Sequence, residues 1–565
     1  MSKLTRNIFL FIILVNMNFS SSRYPVHGQN GMVVSTSRQA SEVGIQILKQ
    51  GGNAVDAACA VGFALAVTSS SDGNIGGGGF MAAHMSDGTV FTQDHREMAP
   101  AAAHRNMYLD PNGNVIENMS LRTRAAVGIP GTVDGLLNAW KDHGSGNISR
   151  RELLAPAIAL AEKGFELSHY EAARLNDNKE LFEKNAAAKE IFIRKNNHPW
   201  AEGDRLIQKD LAKTLKRISR YGRNGFYAGK TADYIVQEMN KGTGLITHED
   251  LINYSSVYRE PVIGSFKDLE IISMGPPSSG GALLIHMLNM LEKYPLDTLG
   301  WNSSAYIHLL TEVERRAYAD RAEHMGDPDF WDVPVQMIIS EEYADQRIND
   351  ILMNHATSSA DVYAGPPSAY ESRETTHYSV IDKDGNAVAV TTTINWSYGG
   401  GFLVEGAGFF LNNEMDDFSS KPGTPNIYGL VGNEANAIEP GKRPLSSMTP
   451  TIVLKDQKPY LLLGSPGGST IITTVLQIIH NVVIHGMNIQ EAVSSPRIHS
   501  QWLPDILFYE KNGLSKDVRN KLQQKGHIVK VHPWEYWGEA NCIMVLDNGY
   551  YGGADSRGEN TAVGY

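Results

Sequence analysis

The sequence predicts an α/β protein in which helices cover β-sheets, and three observations carry that prediction. Blocks with helical period alternate with short β-rich blocks along most of the chain. A hairpin signature stands at 377–394, where two β-branched runs flank Asp-Lys-Asp-Gly. A strand–turn–helix unit follows, with 460–463 as strand, Gly-Ser-Pro-Gly-Gly as turn and 469–484 as helix.

Residues 31–35 read as a strand, and 37–50 as an amphipathic helix stopped by Gly51-Gly52. Asn53 is placed to cap the next helix, 54–67, which is apolar nearly all round and therefore buried. Gly76-Gly77-Gly78-Gly79 leads into a strand at 80–84. Residues 151–250 are mainly helical and more charged. Gly-Pro-Pro-Ser-Ser-Gly-Gly near 275 separates a strand from a long apolar pattern, and 303–325 is helical. The sharpest change in composition is at 353–374, a small, polar, Pro/Gly-containing stretch without apolar period that reads as an exposed connection. No internal repeat is evident.

The chain has 565 residues, 42% of them hydrophobic and 20% charged, an ordinary globular composition. At about 150 residues per domain that length suggests three or four domains, but one large α/β unit fits it as well. The 50 basic and 62 acidic residues give a net charge of −12, which disfavours a nucleic-acid partner. Lys3 and Arg6, the apolar run 8–15 and then Ser20, Ser21 and Ser22 follow the order of a secretory signal, assigned here to 1–22 with its cleavage position open. The run is too short for a stable membrane span and no later run is long enough, so export to the periplasm or the extracellular space is expected. The two cysteines, Cys59 and Cys542, sit in apolar contexts that suit core fillers better than a disulfide. No HExxH or clustered Cys/His pattern calls for a metal, and no cofactor is expected.

Thr375 stands where the exposed connection meets the hairpin. Cleavage of the bond before it would give it a free α-amine with a pKa of about 7.7–8.0. That amine could take the proton from the residue's own hydroxyl and activate it. Read alone, Thr375 is a β-branched residue opening a strand. Gly467 and Gly468, between a strand and a helix, suit backbone N–H donors aimed at an oxyanion, and the Lys of a phosphate loop is missing. Read alone, Arg96 is a surface ion pair with Glu97 or Asp94, and Glu414–Asp417 an acidic turn.

The run TTHYSVIDKDGNAVAVTTTIN at 375–395 resembles the start of the small subunit of the γ-glutamyltranspeptidase (glutathione hydrolase) family. REMAP at 96–100, LNNEMDDFS at 411–419, KRPLSSMTPTIV at 442–453 and GSPGG at 464–468 extend the resemblance, in the family's order, from about residue 27 to the C-terminal Ala-Val-Gly-Tyr565. It implies a four-layer αββα sandwich of the N-terminal-nucleophile hydrolase type. It implies a precursor that cleaves itself between Glu374 and Thr375, giving a large subunit of 23–374 and a small one of 375–565 that together form the sandwich.

By the same resemblance Thr375 is the nucleophile, Thr393 supports it by hydrogen bonding, and the Gly467 and Gly468 N–H groups hold the oxyanion. Arg96, Ser446 and Ser447 bind the substrate α-carboxylate. Asp417 binds the α-ammonium, with Glu414 and Asn395 as further acceptors, Glu414 standing where some members carry glutamine. Tyr428 lies in a lid loop at 422–432. Asn395-Trp396-Ser397 is formally a sequon, expected to stay unmodified inside a substrate pocket. The implied reaction takes glutathione or another γ-glutamyl compound and passes the γ-glutamyl group to water, an amino acid or a dipeptide. Two alternatives stand beside it: a same-fold acylase of the glutaryl-type β-lactam kind, and an unprocessed exported binding protein.

Overall fold

Two antiparallel sheets, each of seven strands among the described residues, form the centre of the molecule. The computed structural model describes residues 24–363, 375–426 and 429–565. The signal-like segment, Glu374 and Tyr428 lie outside them. The sheets face each other through an apolar layer in which Met32, Ile381 and Ala389 of one meet Ile272, Ile452 and Ile543 of the other. Helices close both outer faces, so the order is α, β, β, α and the expected four-layer sandwich is present.

The local reasons are legible residue by residue. Helix Arg38–Lys49 is capped by the Ser37 side chain, which accepts from the Ala40 N–H. Helix Ala54–Thr68 carries the capping box expected from Asn53, completed by Asp56, and every one of its residues is buried. A helix this apolar has no solvent face to offer, so it lies under one sheet, packed with Val33, Val380 and Val388. Each large side chain it buries, such as Phe63 or Leu65, contributes about 1.5–3 kcal/mol. On the other outer face, helices Gly280–Glu292, Ser304–His324 and Thr470–Val483 pack against a core that includes Ile271, Val453 and Leu461. Cys59 and Cys542 are free and buried in these two separate cores, as core fillers.

The hairpin forms as strands Thr376–Asp382 and Ala387–Thr393. Its turn is held by Asp382, whose Oδ1 accepts from the Asp384 and Asn386 N–H groups at 2.9 and 3.0 Å. The same carboxylate accepts from the Ala54 N–H at 2.9 Å, tying the turn to the start of the buried helix. Both hairpin strands are interior: Gly31–Ser35 pairs on one side and Gly78–His84 on the other.

The strand expected at 80–84 begins earlier, at Gly78, because the ladder reaches Thr393↔Gly78 and Thr392↔Gly79. Glycine is needed there for contact rather than flexibility. A Cβ on Gly77 would lie 2.1 Å from the Thr393 carbonyl oxygen, and one on Gly79 2.4 Å from that of Thr391. The Gly76–Gly79 run thus lets backbone meet backbone beneath the hairpin end that carries Thr375. Gly77→Ala is expected to cost about 1–3 kcal/mol through overpacking, read as a lower denaturant midpoint, with a larger loss of activity than of secondary structure.

Candidate active site

Thr375 immediately precedes strand Thr376–Asp382, one step beyond the Thr376↔Thr392 pair, so the register sets it across from Thr393. It is only 7% exposed. Thr393 is fixed from both ends: its Oγ1 accepts from the Asn395 N–H at 2.8 Å, and its carbonyl from Asn74 Nδ2 at 2.8 Å. Asn395 adopts a left-handed backbone, φ 69°, and its Nδ2 donates to the Asn413 carbonyl at 2.9 Å. It is 1% exposed, buried beside the pocket rather than lining it.

Thr375 lies at the meeting of two pockets. The narrower is lined by Thr375 and Thr393, by Arg96, Arg321, Glu414 and Asp417, and by Ser446, Ser447 and Gly468. The wider also includes Thr375, but takes Gly467 in place of Gly468. These glycines form the turn between strand Lys458–Leu463 and helix Thr470–Val483. Gly467 has φ 132° and Gly468 φ 53°, both in the region that L side chains avoid. The turn is stapled by Thr470, whose N–H and Oγ1 donate to the Gly467 carbonyl at 3.0 and 2.8 Å. None of the described residues lining either pocket is a histidine. The nearby His377, under the turn, is held neutral by burial, its pKa pushed down to about 3.

Arg96 is not the surface ion pair that it resembles in isolation. It is 1% exposed, and its Nε donates to the Pro444 carbonyl at 3.2 Å. Its Nη1 donates to Glu414 and its Nη2 to Asp417 Oδ2, the latter at 2.5 Å. Asp94 accepts instead from the Arg96 backbone N–H and from Arg259. Asp417 Oδ1 accepts from Asn426 Nδ2 at 3.0 Å. Arg96 therefore bridges two carboxylates, and the pocket holds a guanidinium and acceptor oxygens within a few ångströms of each other.

Opposite stand Ser446 and Ser447, positioned by the Gly-Pro-Pro-Ser-Ser-Gly-Gly segment. The Ser446 N–H donates to the Pro277 carbonyl at 2.9 Å, and Ser279 Oγ donates to the Ser446 carbonyl at 2.8 Å. Ser447 Oγ accepts from Arg321 Nη2 at 3.2 Å. Arg321 is a pocket residue that sequence reasoning missed. Burial lowers its pKa to about 10, which leaves it cationic at neutral pH. It sits in helix Ser304–His324, whose charged residues are largely buried. The one sequence signal was the density of arginine in that helix, with Arg315, Arg316 and Arg321 close together.

Glu97 was also missed as a site residue. It is fully buried, 3.7 Å from Arg96 Nη1, and neither of its oxygens nor Glu414 Oε2 meets a donor from another side chain or the backbone. Burial, with repulsion from Glu97 and Asp417 opposed by Arg96, pushes Glu414 well above the ordinary carboxylate range. Burial thereby favours the neutral acid form of Glu414, the isostere of glutamine. Burial raises Asp417 as well, again opposed by Arg96.

Elsewhere the fold gathers His308, Glu312 and His527, which no sequence spacing had suggested. Both Glu312 oxygens accept from Arg315 and Arg316, and His308 Nδ1 is hydrogen-bonded to His527 Nε2 at 2.7 Å. Two guanidinium groups on the carboxylate oppose a cation there, and the cluster reads as a structural network.

Comparison with known proteins adds the lineage. The family model described as Gamma-glutamyltranspeptidase matches residues 40–565. A glutathione hydrolase proenzyme of Escherichia coli (strain K12) is 47% identical over 545 residues, covering 96% of this chain and 93% of its own length. The crystal structure of Helicobacter pylori gamma-glutamyltranspeptidase is 44% identical with TM-score 0.57, covering 60% of this chain and 96% of its own. A cephalosporin acylase from Bacillus halodurans, at 24% identity and TM-score 0.84 over 97% of this chain and 98% of its own, shares the fold.

Glu97 in this buried acidic cluster has a thermodynamic signature. Glu97 is raised to about 7, burial being the main cause, so the folded protein holds more protons than the unfolded chain from the ordinary glutamate range up to that value. The stability this gives is present below that range and lost as the pH rises through it. Denaturation midpoints of wild type and Glu97→Gln measured from about pH 4 to about pH 8 should diverge, the wild type falling relative to the variant.

Proposed function

The chain belongs to the gamma-glutamyltranspeptidase family, and from that membership we propose that Thr375 is its acyl-accepting nucleophile, released by self-cleavage before that residue. The protein is a glutathione hydrolase and γ-glutamyltransferase of the N-terminal-nucleophile class. The observation that carries the residue assignment is the meeting, at Thr375, of a buried zwitterion clamp and a glycine turn.

A γ-glutamyl donor presents an α-carboxylate, an α-ammonium and a γ-carbonyl. The carboxylate suits Arg96, with Ser446 and Ser447 donating and the Arg321 charge behind them. The ammonium suits Asp417, with Glu414 Oε1 as neutral acceptor. Held at that end, the donor brings its γ-carbonyl to Thr375. With no histidine among the described residues lining the pockets, the free α-amine of Thr375 is the base that takes the Oγ1 proton. The oxygen adds to the carbonyl, the oxyanion forms against the Gly467 and Gly468 N–H groups, and collapse expels the amine with the proton that Oγ1 gave up. Water or an acceptor amine then resolves the ester.

Cleavage at 374/375 would yield a large subunit of 23–374 and a small one of 375–565, both contributing strands to the same sheets. Export rests on the N-terminal pattern around Lys3, Arg6 and 8–15, and among the described residues no helix is long and apolar enough to cross a membrane. The resemblance of Tyr428 to a lid residue supports a cover over the donor. An acylase acting on glutaryl groups would need the guanidinium but no ammonium partner, and the Glu414 and Asp417 pair favours the γ-glutamyl donor.

Intact-mass analysis should give two chains for the wild type, the smaller beginning at Thr375, and one uncut chain for Thr375→Ala; a cut elsewhere would refute the assignment. Asp417→Asn should raise the KM for a γ-glutamyl anilide about 10- to 100-fold, with little change for a glutaryl anilide, as loss of one charged hydrogen bond requires.

A further inference from the structure

Arg321 differs from the other buried arginines. Arg96, Arg315, Arg316 and Arg497 are each paired with a carboxylate. Arg321, in helix Ser304–His324, lines the narrow pocket and is 4% exposed, yet among the described residues it has no carboxylate in salt-bridge reach. Its partners are two serine hydroxyls: Nε donates to Ser279 Oγ at 2.9 Å and Nη2 to Ser447 Oγ at 3.2 Å. Charge buried this deeply without an opposite charge is costly, and a ligand anion relieves the cost.

The two serines pass that influence to the pocket wall. Ser279 Oγ donates its own proton to the Ser446 carbonyl at 2.8 Å, and the Ser279 N–H donates to the same carbonyl at 2.9 Å. Ser446 is thereby held from behind. Its Oγ accepts from the Met448 N–H at 3.1 Å, as Ser447 Oγ accepts from Arg321. Each pocket hydroxyl thus has an N–H aimed at its oxygen, and neither donates its proton to any of the described residues. A hydroxyl held in this way has its proton free for whatever enters. Two such protons near the Arg96 guanidinium suit a group that carries only acceptor oxygens. A carboxylate is such a group, whereas a carboxamide brings an NH₂ edge that meets donors with a donor.

We propose that Arg321 is a positioning residue of this pocket, acting through Ser279 and Ser447 to hold both pocket hydroxyls as donors and so to select γ-glutamyl compounds whose α-carboxylate is free. The inference rests on the narrow pocket being the donor site. With a neutral side chain at 321, Ser447 Oγ loses the N–H on its oxygen and is free to turn and accept. A donor bearing an α-carboxamide then no longer faces two fixed donors. The hold on Ser446 by Met448 and the Ser279 N–H persists, so selectivity falls without vanishing.

Steady-state kinetics with a γ-glutamyl anilide and with the same anilide amidated at its α-carboxyl test this. Arg321→Met should raise the KM for the carboxylate donor about 10- to 100-fold with kcat kept within about threefold. The KM for the carboxamide donor should change by less than about threefold, so the ratio of the two kcat/KM values falls about tenfold or more. Arg321→Lys, which keeps the charge without the planar fork, should lie between wild type and Arg321→Met. An unchanged ratio in Arg321→Met, or equal losses for the two donors, would overturn the proposal. If that variant does not mature, Ser279→Ala decides: the ratio should fall about 3- to 10-fold, and an unchanged ratio overturns the proposal. Failure of the wild type to release anilide from the carboxylate donor would instead refute the donor site itself, which is a distinguishable result.

Discussion

The central hairpin is the constraint on which the rest depends. Strands Thr376–Asp382 and Ala387–Thr393 are paired with each other and with a further strand on each outer edge, so neither can slip by a residue without moving every side chain to the opposite face. One face of the hairpin contributes Ile381, Ala387 and Ala389 to the layer between the sheets, and the other contributes Tyr378, Val380, Val388 and Val390 to the helix-covered core. Both faces are committed, and the position of Thr375 at the end of the first strand follows. The glycines at 77–79 permit the neighbouring strand to approach that end, and the Asp382 turn fixes the other.

Around that fixed point the dominant energy is electrostatic. Five charged side chains, Arg96, Arg321, Glu97, Glu414 and Asp417, share a buried region where unpaired charge is costly. The arrangement closes because burial raises the proton affinity of Glu97 and Glu414 and because the guanidinium of Arg96 serves two carboxyl groups. A zwitterionic ligand head fits such a region well, since it adds no net charge and offers one partner to each sign.

The other side of Thr375 follows a different rule. Arg174 lies between Asp72 and Glu539, partly open to solvent, in a pocket also lined by Trp534 and Tyr536. A closed, charge-balanced pocket beside an open, aromatic one gives the two halves of an amide bond different environments. The glycine turn lies on the boundary where both halves are joined.

The sequence by itself determined much of this. Capping residues such as Ser37 and Asn53, the apolar run 54–67, the hairpin around Asp-Lys-Asp-Gly and the Gly467-Gly468 turn are local signals, and each element formed within a few residues of its expected limits. The spaced motifs around Arg96, Asp417, Ser446 and Thr375 identified the lineage. Tertiary structure alone decided that Arg96 is buried, that Arg321 and Glu97 join it, that burial raises the proton affinity of Glu414, and that Glu539 lines a pocket reaching Thr375. The physical reason is that these properties belong to no residue's own neighbourhood. Burial, charge balance and proton sharing arise between segments hundreds of positions apart, and they exist only once the sheets have brought those segments together.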